Sequence, residues 1–245
     1  MNICERRYYL DKLDPDSFGG PAAQRGTHVH EAMEIMAKIM ADGKTAEEAL
    51  EIMKAELPKG YLPELELTGY LTRSLVAMRD LKPIRGQVER WFRNAGRLPM
   101  VGKIDLVSSV TPVFEFGQPA GNEPGPCVID HKTTSKPEKV PSPEEAHRSL
   151  QLRLYCLATS TKSAAYIYHL PTGDCMGVSA TFTAEELKET ELEILQVIVE
   201  IEKKWAVGEK DPYMICDSPG RGLCRNPDDV SWGGCRHWEK CFGTK

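Results

Sequence analysis

Apolar and polar positions alternate along this chain with two different periods, and the change from one to the other divides it. From about Thr27 to Met40 the residues Val29, Met33, Met36 and Met40 recur at spacings of three and four, which predicts an amphipathic helix stopped by Asp42-Gly43. Thr45 followed by Glu48 is a capping box, and it opens a second helix to about Leu57. The run Thr68 to Leu81 predicts a third. Ahead of these, Cys4 to Leu10 reads as a short helix, and DPDSFGGPAAQRG (14–26) as a loop.

Beyond Pro83 the period shortens. Gln87 to Arg93 and Met100 to Val107 read as strands, and Val113 to Phe116 continues the sheet. GQPAGNEPGP (117–126) is a turn-rich loop, and Cys127 to His131 the next strand. Glu144 to about Ser160 predicts a helix, Ala165 to His169 a strand, 171–174 a turn, and Met176 to Phe182 its antiparallel partner. Thr183 with Glu186 caps a long helix to about Val207. This order predicts an α/β protein with a mixed central sheet flanked by helices. It divides into a helical part (1–82), a sheet core (83–207) and a loop-rich, Cys-containing tail (208–245). No internal repeat or low-complexity segment interrupts it.

Composition narrows this. At 245 residues the chain can bury a full core. No run of eighteen apolar residues occurs, so no membrane span is expected. The start MNICERRYYL lacks an apolar signal core, so, with Met1 as the start, a cytoplasmic location is expected. A net charge of −5 argues against a general nucleic-acid coat but allows a local basic groove. Of the eight cysteines, Cys127, Cys156 and Cys175 sit singly in apolar segments, whereas Cys216, Cys224, Cys235 and Cys241 crowd the tail. That crowding suggests a metal ligand set rather than a core.

The candidate chemistry centres on Val128-Ile129-Asp130-His131-Lys132-Thr133-Thr134. On a strand Asp130 and Lys132 point the same way, so a carboxylate and an ammonium would stand together where a buried strand surfaces. Such a pair can hold a divalent cation and steady a water. Alone, it is more often an ordinary surface ion pair. Asp105, at the end of Gly102-Lys103-Ile104-Asp105, is placed to join it from an adjacent strand. His28 and His30 are two apart on a helix, so at most one serves a given metal. Gln151 and Tyr155 share a helix face, and Arg148 and Arg153 on that helix are candidates to meet phosphates. Glu89 is a further acidic candidate on the preceding strand.

The order GTHVHE, VGKIDLV, VIDHKTT, then Gln151 with Tyr155, resembles the RecB-like branch of the PD-(D/E)XK nucleases. The resemblance implies a restriction-endonuclease-like fold and metal-dependent hydrolysis of DNA phosphodiesters. His30, Asp105 and Asp130 would hold Mg²⁺ or Mn²⁺, with the His131 carbonyl as a further ligand. Lys132 would be the catalytic lysine, and Gln151, Tyr155, Arg148 and Arg153 would bind DNA. Glu89 falls where many members carry a supporting acid. It further implies an exonuclease on single strands or DNA ends, in recombination, repair or phage DNA metabolism, with recombination or helicase proteins as partners.

CERRYYL is similar to the opening of iron-sulfur-bearing members, in which one early Cys joins three late ones around a [4Fe–4S] cluster. That implies Cys4, Cys235 and Cys241 as ligands with Cys224 as the fourth and Cys216 as its alternative. The usual C-x-x-C spacing would place a ligand at 232, which is Trp232 here, so a structural Zn²⁺ site with His237 stays open. Two other readings remain beside the nuclease. One is a catalytically silent DNA-binding subunit; the other is a zinc-stapled interaction protein.

Overall fold

The computed structural model describes residues 21–57, 78–79 and 81–208. The first helix, α1, spans Pro21–Ala41, and α2 spans Ala46–Glu56. Five strands follow: β1 (Pro83–Phe92), β2 (Gly102–Glu115), β3 (Gln118–Thr133), β4 (Ser163–His169) and β5 (Cys175–Thr181). Between β3 and β4 lie a 3-10 turn (Pro137–Lys139), α3 (Pro143–His147) and α4 (Leu150–Thr159), and α5 (Ala184–Gly208) closes the described chain. No helix among the described residues is long and apolar enough to cross a membrane.

The sheet runs β1-β2-β3-β4-β5 and is antiparallel throughout except for the parallel β3–β4 pair. A parallel neighbour needs a crossover, and α3 and α4 supply it. One face packs Leu106, Ile129, Ala165 and Ile167 against Val29, Met33 and Met36 of α1 and Leu50 and Met53 of α2. The other packs Val107, Val128, Ala164 and Val178 against Leu152 and Cys156 of α4 and Leu187 of α5. The expected mixed sheet between helices is therefore what forms. The chain divides into two units, Gly19–Glu193 and Met1–Phe18 with Ile194–Lys245. The first holds the whole sheet.

Several expected boundaries move. The first helix starts at Pro21, inside the stretch read as a loop, because a proline is tolerated in a first turn and Ala-Ala-Gln-Arg favours helix. All of the expected loop 117–126 except the turn residue Gly117 is instead part of β3, zipped to β2 from Glu115↔Gln118 to Val110↔Pro124. Cross-strand pairing overrides the weak strand preference of Gly and Pro in this largely exposed hairpin. The single helix expected over 144–160 is two. Ser142 and Glu145 form a capping box on α3, and Ser149 accepts from the Leu152 N–H to start α4 afresh. The helices expected at 4–10 and 68–81 lie mostly outside the described residues.

Candidate active site

The site forms where two strands part. β2 pairs with β1 from Gly102 onward, but its ladder with β3 begins only at Leu106↔Ile129. Past that pair the His131 main-chain N–H has no β2 backbone partner. Asp105 replaces it, its Oδ2 accepting from His131 N at 2.8 Å. The same oxygen lies 3.4 Å from His30 Nδ1, so α1 is tied to the opening from its own face of the sheet.

Asp130 enters from the other side. Its residue is only 2% exposed, with Oδ2 2.6 Å from Lys132 Nζ and Oδ1 accepting from Gln151 Nε2 at 2.9 Å. Gln151 Nε2 also meets the Tyr155 hydroxyl at 3.0 Å, and its Oε1 accepts from the Tyr166 hydroxyl at 3.2 Å. Tyr166 in turn bonds Ser149 Oγ at 2.6 Å and carries Lys132 Nζ over its ring, 5.6 Å from the centroid. Asp130 thus faces an amide and an ammonium whose own positions are fixed by a tyrosine.

The charges divide unevenly. Burial, then the charge of Asp105, pushes the Asp130 carboxyl up to about 6, against the pull of Lys132. Burial would raise Asp105 too, but its bonds and charge contacts with His30 and His131 win and hold it below the ordinary carboxylate range. Burial would lower His30, yet Asp105 outweighs it and the imidazole sits above its ordinary value. His131, fully enclosed, drops to about 4 and pairs through Nδ1 with His169 Nε2 at 3.0 Å.

Of the residues singled out from sequence, His30, Asp105, Asp130, Lys132, Gln151 and Tyr155 are gathered here. Glu89 lies on β1 between the pairs Val88↔Leu106 and Arg90↔Ile104, and its carboxylate is paired with Lys103. Arg153 is not brought in: it donates to the His147 carbonyl at 3.1 and 3.0 Å and to Thr190 Oγ1 at 3.1 Å, with its guanidinium over Phe182. Those bonds use it to clamp α3 to α5. Arg148 ends α3 and makes no contact with the acids among the described residues. Cys4, Cys216, Cys224, Cys235 and Cys241 lie outside the described residues.

A family model described as the PD-(D/E)XK nuclease superfamily matches residues 1–218. The chain belongs to the PD-(D/E)XK nuclease superfamily. No curated protein sequence matches it. It is similar to a solved structure titled "Crystal structure of SSO0001", at 14% identity over 88% of this chain and 86% of that one, with a TM-score of 0.30. So loose a likeness adds nothing to the family match.

Nucleases of this superfamily typically use divalent metals such as Mg²⁺, and the donors of this one suit such an ion. Asp130 Oδ2 is buried and, although Lys132 is near, makes no hydrogen bond of sound geometry. A second carboxylate and an imidazole adjoin it, a set of hard oxygens with one nitrogen. Among the described residues no three His, Cys, Asp or Glu side chains already converge as a chelating group. Each acid instead leans on its own base, Asp105 on His30 and Asp130 on Lys132.

Sequence reading missed Tyr166, Ser149 and His169. Tyr166 lies directly beside Asp130 in the parallel β3–β4 register, which no local spacing encodes. Ser149 carries a legible signal, a serine three residues before the Leu152 whose N–H it caps, but a continuous helical pattern hid it.

Proposed function

We propose that this nuclease is a Mg²⁺- or Mn²⁺-dependent exonuclease acting on single-stranded DNA or DNA ends, in recombination, repair or phage DNA metabolism. The observation that carries the hydrolytic part is the meeting of Asp105–His30 and Asp130–Lys132 at the split between β2 and β3. His30, Asp105 and Asp130 would hold the cation, with the His131 carbonyl as a further donor. When bound, the cation supplies an acidified water and charge neutralisation at the phosphate.

The chain's own residues do the rest. Lys132, steadied by the Tyr166 ring, moves off Asp130 to donate to the attacking water and to a phosphate oxygen, where negative charge grows in the transition state. Gln151 keeps Asp130 Oδ1 turned inward while Tyr155 and Arg148 face the strand backbone, a mode of contact that carries little base preference. Water adds to phosphorus and gives up a proton to solvent, the bridging P–O bond breaks, and the leaving oxygen takes up a proton from solvent. Cys4, Cys224, Cys235 and Cys241 would hold a [4Fe–4S] cluster, with Cys216 as the alternative to Cys224 and Zn²⁺ as the alternative to iron.

Digestion of 5′- and 3′-end-labelled single strands with Mg²⁺ and with EDTA tests the reading. Progressive shortening from one end, lost with EDTA and in Lys132→Ala, is expected. Undiminished cleavage by Lys132→Ala would overturn it. Iron and acid-labile sulfide in an anaerobic preparation test the cluster.

A further inference from the structure

Outside the acid–base centre, the most conspicuous exposed side chain beside it is Trp91, 66% accessible near the end of edge strand β1. Its neighbours fix where it points. Phe92, next in sequence, lies over Gly102, where an added Cβ would run into the ring, and meets Tyr155 edge-on at 6.3 Å. Phe92 therefore belongs to the α4 side, and strand alternation sends Trp91 to the opposite side. Directly opposite Trp91 in the ladder is Lys103, whose ammonium reaches Glu89 and comes within 3.9 Å of Glu34. Glu34 is one helical turn from His30 on α1, so Trp91 and His30 share one side of the sheet. Asp105 follows Lys103 by two residues, roughly 7 Å along the strand.

A large aromatic surface left in water beside a catalytic cleft needs a reason. Here the surroundings point to a nucleobase. Val101, 70% exposed, stands just before the Phe92↔Gly102 pair, and Arg93, exposed two residues after Trp91, has no ion-pair partner among the described residues. The acids of the patch are already engaged, Glu89 by Lys103 and Glu34 by Lys38. An exposed indole with an exposed arginine two residues further along the chain offers stacking to a base and charge to its phosphate.

Resting on the nuclease reading, we infer that Trp91 is a stacking platform for a base of the single strand whose backbone crosses the Asp105–Asp130 opening. A duplex keeps its bases stacked on one another and presents no free face at that point, so Trp91 selects for unpaired substrate. It touches substrate without taking part in the reaction.

The full chain carrying Lys132→Ala, which removes cleavage, provides the background. Tryptophan emission is followed while a short oligo(dT) with Mg²⁺ is added, and labelled oligo(dT) and a blunt duplex report affinity by anisotropy. Quenching that disappears in Trp91→Phe is expected, since Trp205, Trp232 and Trp238 supply the emission that remains. Trp91→Phe keeps its affinity for oligo(dT) within about twofold, and Trp91→Ala weakens it about tenfold, the scale of one base–aromatic stack, with the duplex affinity unchanged. Undiminished quenching in Trp91→Phe, equal loss on single strand and duplex, unaltered affinity in Trp91→Ala, or no binding by the background protein would each overturn the inference. Trp91 is exposed, so circular dichroism of both variants should match that of the background protein. Failure of the nuclease reading shows separately, as Lys132→Ala cleaving like the unaltered protein, while the quenching comparison still reports on Trp91.

Discussion

Asp105, one residue beyond the last β2–β3 backbone pair, accepts the main-chain N–H of His131 at 2.8 Å. A side chain thereby completes a ladder that the backbone abandons, and the same carboxylate is the one His30 approaches. Replacing it touches both fold and chemistry. Asp105→Ala leaves a part-buried N–H unpaired and should cost about 1–3 kcal/mol of unfolding free energy. Asp105→Asn retains an acceptor and should cost less, while both lose nuclease activity. Urea unfolding alongside the cleavage assay separates the two roles.

Lys132 pairs with Asp130 at 2.6 Å and rests over Tyr166. Lys132→Ala should lower turnover by about 10²–10³-fold or more while DNA affinity changes little. Lys132→Arg should not restore it, because a planar guanidinium cannot present a single donor in the ammonium's place. Single-turnover rates and gel-shift affinities on one substrate provide the check.

Proton and cation compete at Asp130. With its carboxyl near 6, Mg²⁺ affinity should fall as pH drops below about 6, and excess Mg²⁺ should recover activity there. Stability has its own sign. A carboxyl raised in the folded state favours folding at low pH, and that contribution is lost as pH rises from the ordinary Asp value through about 6. Asp130→Asn should abolish that loss in metal-free protein, as followed by unfolding free energies across this window.

Gln151 joins Asp130, Tyr155 and Tyr166. Gln151→Leu keeps the approximate volume and removes all three bonds, so activity should fall about 10–100-fold, as for the outer partner of a metal ligand. Tyr166→Phe removes the bond to Gln151 from the same network, and the one to Ser149 with it. A double-mutant cycle in cleavage rate should show the two changes to be non-additive.

How much of this was legible beforehand follows from how local each relationship is. Asp130 and Lys132 are two residues apart on one strand, and Gln151 and Tyr155 four apart on one helix, so spacing alone put each pair on one face. The choice of His30 came from the order of motifs, and the structure sets it against Asp105. The split between β2 and β3 was not readable, nor the Asp130–Tyr166 neighbourhood, because both depend on register between strands far apart in sequence. Glu89 is a further case. It takes a left-handed φ of +52°, and around it Val88 packs on the α1 side while Phe92, four residues on, packs on the α4 side. Regular alternation would keep those two on one face. Arg153 shows the reverse error, a cation whose type suggested phosphate but whose neighbours hold it on protein oxygens.

The interruption at Arg148 and Ser149 has an electrical consequence. Had Pro143–Thr159 been one helix, its positive pole would stand seven residues, roughly 10 Å, upstream of where α4 begins at Leu150. The restart creates a fresh pole next to Gln151, carrying roughly half an elementary charge in peptide dipoles. Because the Gln151 side chain holds Asp130 Oδ1, that pole stands on the Asp130 side of the helix, a contribution set by main-chain geometry that protonation of no side chain alters.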